Sequence, residues 1–153
     1  MVDMLKHFAF LFSVVSLLLS VSGCVTVQEV APRADAVKIK PQEYELGRKL
    51  VTAFVKNDGK TFVSLLPEET RTKFTVESFE KSRKSIVESV GEPVSFTYLV
   101  ALELPALTPQ IWKIRFRRVN PKNNEEFYSE LLFRAVTGML DKKQAVVTGF
   151  QFI

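Results

Sequence analysis

The chain has 153 residues, with 21 lysines and arginines against 17 aspartates and glutamates, and a formal net charge of +4. This excess of positive charge is too small to favour a nucleic-acid partner. Because there is only one cysteine, an internal disulfide is excluded, and the single histidine limits the catalytic chemistry that is available.

The N-terminus has the pattern of a secretory signal peptide. Lys6 precedes an apolar run over residues 8–21. That run has the length of a signal-peptide core and is shorter than the ~20 residues that a membrane-spanning helix needs. An uncleaved anchor helix is the alternative, which we disfavour because residues 20–23 are small.

The apolar run ends in an aliphatic residue, two small residues and the only cysteine: Val21, Ser22, Gly23 and Cys24. These residues resemble the lipobox of bacterial lipoproteins. The resemblance implies acylation of Cys24, removal of residues 1–23 and anchoring in the cell envelope. Val25 follows the cysteine in place of the aspartate that commonly retains such proteins in an inner membrane. For a Gram-negative cell, we therefore expect the outer membrane, facing the periplasm.

Cleavage at Cys24 would also remove most familiar catalytic chemistry. The mature chain of about 130 residues, the size of one domain, would have no histidine and no free thiol, because His7 lies in the leader. Nucleophile pairs that need histidine, and zinc sites built from histidine and cysteine, are then excluded. Neither a phosphate-binding loop nor a dinucleotide fingerprint is present. We expect no metal and no cofactor, and we disfavour an enzyme.

The rest of the chain divides into a tether and one α+β domain. Residues 24–42 are aperiodic and predict a lipidated N-terminus and flexible tether, followed by the domain at 43–153. Helical spacing of apolar residues predicts N-terminal helices over 43–58, 60–66 and 75–90. Strand patterns over 94–104, 110–119, 126–136 and 144–153 predict a curved, mostly antiparallel four-stranded sheet that packs on these helices.

Residues 54–66 (FVKNDGKTFVSLL) are similar to the opening of nuclear transport factor 2-like domains, of the cystatin-like α+β cone type. The resemblance implies a curved sheet around the helices and often an apolar pocket between them. Some members are enzymes that use Asp, His or Tyr in that pocket. No such set can be placed here, because Asp58 and Asp141 fall at predicted turns.

Aromatic residues are candidates for the wall of an apolar pocket: Phe54, Phe79, Phe96, Trp112 and Phe133. A domain of this size also needs large apolar residues to fill its core, and this second interpretation is favoured. A pocket for a ligand would be concave and mostly apolar.

A second candidate site is a basic strip on the exposed sheet face: Lys113, Arg115, Arg117 and Arg118, with Arg134 as a further member. Such a strip would suit an anionic or acidic partner. The alternative is a solvated face with Glu130 as a cross-strand partner, for instance of Arg117.

The sequence thus favours a lipid-anchored, non-catalytic envelope protein that binds an envelope partner protein or a small apolar ligand. A nuclear transport factor 2-like enzyme with carboxylate or tyrosine chemistry is the runner-up. A structural or accessory subunit of an envelope complex is the third hypothesis.

Overall fold

The computed structural model describes residues 27–31, 39–102, 104–140 and 143–153. The predicted signal peptide, the lipobox with Cys24 and most of the predicted tether lie outside the described residues. The predicted domain from residue 43 onward lies almost entirely within them.

Four helices precede most of the sheet: α1 (Pro41–Val55), α2 (Gly59–Ser64), α3 (Glu68–Arg71) and α4 (Val76–Val90). Pro41 begins α1, where its missing N–H costs no hydrogen bond. The side-chain oxygens of Asp58 and Thr75 accept hydrogen bonds from backbone N–H groups in the first turns of α2 and α4. Gly91 ends α4 with φ of 101°, and a side chain there would collide with the Arg117 carbonyl.

The sheet has five strands in chain order: β1 (Gln28–Val30), β2 (Glu92–Ala101), β3 (Leu107–Val119), β4 (Glu126–Leu140) and β5 (Gln144–Phe152). Strand β1 pairs with β2 in parallel, and the other neighbours are antiparallel. Register shifts within the β2–β3 and β4–β5 pairs mark bulges, which bend and twist strands. The result is an open, curled, mixed sheet whose concave face holds the helices.

The core lies between the concave face and α1. Side chains from alternate positions of β3 and from β4 are fully buried there, including Trp112, Ile114 and Phe133. Leu50 and Val51 of α1 are equally buried. Burial of these large apolar side chains is the main stabilising contribution to the domain.

The predicted α+β class with helices on a curved sheet is confirmed, but the prediction of four strands is wrong. The fifth strand, β1, lies within the residues that we assigned to the tether. Its three residues are exposed and lack an alternating pattern. They form a strand because they pair with β2. The first helix ends three residues early, because Asn57 adopts a left-handed φ of 58° and Gly59 begins α2 instead of ending α1.

Candidate functional site

A cavity of about 150 Å³ lies between the helices and the C-terminal strands. Seven of its lining residues are phenylalanines, which come from α1, α2, α4, β4, β5 and the segment before α4: Phe54, Phe62, Phe74, Phe79, Phe133, Phe150 and Phe152. Ile86 and three polar residues, Ser82, Arg83 and Gln151, complete the lining. We refer to this space as the phenylalanine cavity.

The phenylalanine rings form one connected cluster. Phe62 is central, with its ring centroid 4.9 Å from those of both Phe79 and Phe150. On the other side, Phe54 lies 4.8 Å from Phe152. These separations lie in the range where edge-to-face and tilted ring pairs are favourable. The rings that form the cavity wall therefore pack against one another.

The mouth of the cavity lies between α4 and β5, because Ser82 and Gln151 are the lining residues that are exposed to solvent. Arg83 is buried, and two of its three guanidinium nitrogens already have hydrogen-bond partners. Its Nε donates to the Phe54 carbonyl oxygen at 3.0 Å, and Nη2 donates to a carboxylate oxygen of Glu92 at 3.1 Å. The interior therefore offers an apolar surface with few polar groups, which suits an uncharged apolar guest.

Three of the five predicted pocket residues line this cavity: Phe54, Phe79 and Phe133. The other two, Phe96 and Trp112, lie in a separate aromatic cluster under the first turns of α1. All five are buried, as expected of core residues. The sequence prediction missed Phe62 and Phe74 near the helices, and Phe150 and Phe152 on β5, although the i,i+2 spacing of the last two places them on one strand face.

The second aromatic cluster consists of Tyr44, Phe96, Tyr98 and Trp112. The Tyr98 ring lies 5.1 Å from that of Trp112 and 5.2 Å from that of Tyr44. Within the described residues, the Tyr98 hydroxyl and the Trp112 indole N–H have no hydrogen-bond partner. Burial raises the pKa of Tyr98, and burial together with the negative charge of Glu29 raises the pKa of Tyr44. In both cases the surroundings favour the neutral phenol.

Glu43 is the buried carboxylate among the described residues, and it belongs to a polar group beneath α1. The Gln110 side-chain amide donates to the Glu43 backbone carbonyl at 2.7 Å and to the Thr137 hydroxyl at 3.0 Å. Gly47 makes room for this amide, since a side chain at residue 47 would collide with it. Glu43 does not line the phenylalanine cavity, so its position gives no support to carboxylate catalysis in that cavity.

Three cations of the predicted basic strip have partners on the convex sheet face. Lys113 Nζ lies 3.2 Å from Glu130, and Arg117 Nη1 lies 3.1 Å from Glu126. The guanidinium of Arg115 sits 4.1 Å from the ring centroid of Tyr128. The predicted Arg117–Glu130 pair is therefore wrong, because the β3–β4 register brings Glu130 close enough to bind Lys113 instead.

Arg118 is not part of that convex face. Alternation along β3 turns it toward the helices, where it donates to the carbonyl oxygens of Glu88 and Ser89 at the end of α4. Arg134, the further member, donates to the Gln151 side chain at 2.8 Å. The strip is thus a largely charge-balanced surface rather than a continuous basic patch.

Within the described ranges, no group of three or more His, Cys, Asp or Glu side chains is arranged to hold a metal ion. Over the same part of the chain, no helix combines the length and the hydropathy that crossing a bilayer requires.

The chain matches no family model and shows no significant similarity to a curated protein.

Proposed function

We propose that this protein is a bacterial lipoprotein, anchored in the cell envelope through acylated Cys24, whose nuclear transport factor 2-like domain binds a small apolar ligand without chemical conversion. In a Gram-negative cell, the domain would face the periplasm from the outer membrane. The observation that carries the binding role is the phenylalanine cavity.

The size of the cavity limits the ligand. A volume of about 150 Å³ is below the ~300–1,000 Å³ that drug-sized ligands occupy. An apolar cavity of about this size stays dry and accepts benzene. We therefore expect a single ring or a short branched hydrocarbon group, either free or as the end of a longer molecule that leaves through the mouth.

Titration with benzene tests the binding role. Ser82→Phe places a ring at the mouth from an exposed helix position and should weaken benzene binding at least tenfold. Lys81→Phe adds the same ring one residue away, at a position that does not line the cavity, and should leave the affinity unchanged. Calorimetry measures both. Equal affinities of the two variants, or no binding to the wild type at millimolar benzene, would contradict the proposal.

The anchor has a separate test. The full chain is expressed in cells that are grown with radiolabelled palmitate. The wild type should incorporate the label, whereas Cys24→Ser should remain unlabelled and retain its leader. Equal labelling of the two proteins would contradict the proposed lipid anchor, and the proposed ligand binding by the domain would be unaffected.

A partner protein is the second candidate, and exposed leucines favour it. At the end of the sheet where β2 meets β3 and β4 meets β5, four leucines are 38–56% exposed: Leu102, Leu104, Leu107 and Leu140. We call this surface the leucine end. Clustered exposed apolar side chains mark protein interfaces more often than scattered ones do. Leu104→Ser with Leu140→Ser should then release a stoichiometric envelope partner, whereas Val30→Ser, on the exposed edge strand, should not.

A further inference from the structure

The direction of β1 shows from which end of the sheet the preceding chain arrives. Because β1 is parallel to β2, with Gln28 opposite Ser95, residues before Gln28 approach from the end where β2 begins. In the antiparallel partner β3, Ser95 lies opposite Arg115, so β3 runs toward that same end and turns there into β4. The β3–β4 hairpin and the entry of the chain are thus on one side of the domain.

Covalent geometry limits how far Cys24 can lie from this side. Three residues lie between Cys24 and Gln28, and the four steps from Cα to Cα span at most about 14 Å. From the level of Arg115, the hairpin extends four further residues to Val119, about 13 Å. Leu107 lies eight residues from Arg115 in the opposite direction, about 26 Å. Cys24 can therefore reach the level of the hairpin, whereas its Cα falls well short of the leucine end.

The hairpin carries side chains that suit a lipid surface. Val119, Phe127 and Tyr128 are each nearly half exposed, and Lys122 projects from the turn between the strands. We call these four residues the hairpin tip. Two of them, Val119 and Phe127, line an open groove of about 360 Å³ that also contacts Val90 at the end of α4.

We infer that the hairpin tip rests in the headgroup region of the membrane that holds the lipid anchor, an inference that depends on the acylation of Cys24 proposed above. Tyrosine and phenylalanine would sit at the boundary between headgroups and acyl chains, and Lys122 would extend to lipid phosphates. Such a contact is weak by itself, and the anchor strengthens it by keeping the hairpin at high local concentration. The leucine end and the cavity mouth are then presented away from the lipid anchor.

The test uses the full-length, processed and acylated protein in phosphatidylcholine–phosphatidylglycerol vesicles. Because acylation consumes the only natural thiol, an introduced cysteine can be labelled alone with an environment-sensitive dye. Lys122→Cys places the dye at the hairpin tip, and Lys143→Cys places it at the opposite end with the same loss of charge. We expect a nitroxide on the lipid headgroup to quench the dye at residue 122 at least twofold more than at residue 143.

Adding Val119→Ser and Phe127→Ser to the Lys122→Cys protein should reduce the quenching to the level of residue 143. Circular dichroism establishes that these variants remain folded. Equal quenching at both sites, or stronger quenching at residue 143, would overturn the inference. Dye uptake by protein without an introduced cysteine would reveal a free Cys24, which overturns the anchor and the inference together. If the wild type takes up no dye, Cys24 is acylated, and equal quenching at the two sites then contradicts only the membrane contact of the hairpin tip.

Discussion

Arg83, in the middle of α4, donates from its Nε to the carbonyl oxygen of Phe54 in the last turn of α1, at 3.0 Å. The same guanidinium lies 5.9 Å from the Phe54 ring centroid and binds Glu92 at the start of β2. One side chain thereby joins two helices and the sheet beside the phenylalanine cavity. A cation at the C-terminal end of α1 also compensates the partial negative charge of its unpaired carbonyl groups.

Replacing Arg83 should therefore destabilise the domain strongly. We expect Arg83→Met to lower the free energy of unfolding by about 2–3 kcal/mol, because the charge-assisted hydrogen bonds to the Phe54 carbonyl and to Glu92 are lost. The Phe54 carbonyl then keeps only its hydrogen bond from the Asn57 N–H. Urea denaturation measures the change. Lys84→Met, at the adjacent exposed position, is the matched control and should change the stability by less than about 0.5 kcal/mol. Similar values for the two variants would show that Arg83 does not join these elements.

Gly47 should reverse the usual effect of alanine in a helix. Replacing a glycine in a helix interior by alanine normally raises the free energy of unfolding by about 0.5–1 kcal/mol. At Gly47, the new methyl group would collide with the Gln110 amide, and we expect a loss of about 1–3 kcal/mol instead. Gln110→Ala should relieve the collision, so the double variant should lose clearly less than the sum of the single losses. If the losses of stability in the two single variants add up in the double variant, the Gln110 side chain does not contact Gly47.

Tyr98 should make the domain sensitive to alkali. Its pKa is raised above the ordinary value of 10.0 by burial, so the folded state favours the neutral phenol. The corresponding stability is fully present below pH 10 and is lost as the pH rises through the raised pKa. Tyr98→Phe also removes a buried hydroxyl without a partner, and we expect a gain of about 1 kcal/mol at neutral pH together with a smaller loss of stability above pH 10.

The control for Tyr98 is Tyr128→Phe, which removes an exposed hydroxyl. It should show no comparable gain at neutral pH. If Tyr98→Phe instead destabilises the domain at neutral pH, the Tyr98 hydroxyl has a hydrogen-bond partner. The description of that hydroxyl as buried and unpaired is then wrong.

Strand β1 should be the least stable part of the sheet. It has three exposed residues, and besides its pairing with β2 it is held by the Glu29–Arg48 ion pair at 3.2 Å. An exposed pair contributes only about 0.2–1 kcal/mol. Hydrogen exchange of residues 27–31 should be at least tenfold faster than that of β3. Glu29→Gln should accelerate it further, whereas Glu45→Gln, which leaves the Glu29–Arg48 pair intact, should have less effect.

Local patterns were sufficient to predict most of the fold. The strand predicted over 110–119 forms as part of β3, and the alternating side chains of Trp112, Ile114 and Phe116 are fully buried. The helix predicted over 75–90 forms as α4, and the Thr75 side chain caps it by accepting a hydrogen bond from the Ser78 N–H. Strand β1 could not be predicted this way, because its partner lies far along the chain and its own three residues carry no pattern.

The candidate site was less predictable for the same physical reason. Aromatic residues on different elements can fill a core or border a cavity, and the sequence does not say which. Phe96 and Trp112 pack with two tyrosines under α1, whereas Phe150 and Phe152 of β5 border the cavity. The use of Arg83 at the end of α1 depends on how α4 packs, which no local spacing encodes.

The most direct measurement of the binding role is an NMR experiment on the domain in the presence of benzene. We predict intermolecular nuclear Overhauser effects between benzene and the ring protons of Phe62, Phe79 and Phe150, and their loss in Ser82→Phe. Contacts restricted to the leucine end, or no contacts at saturating benzene, would contradict the assignment of the phenylalanine cavity as the binding site.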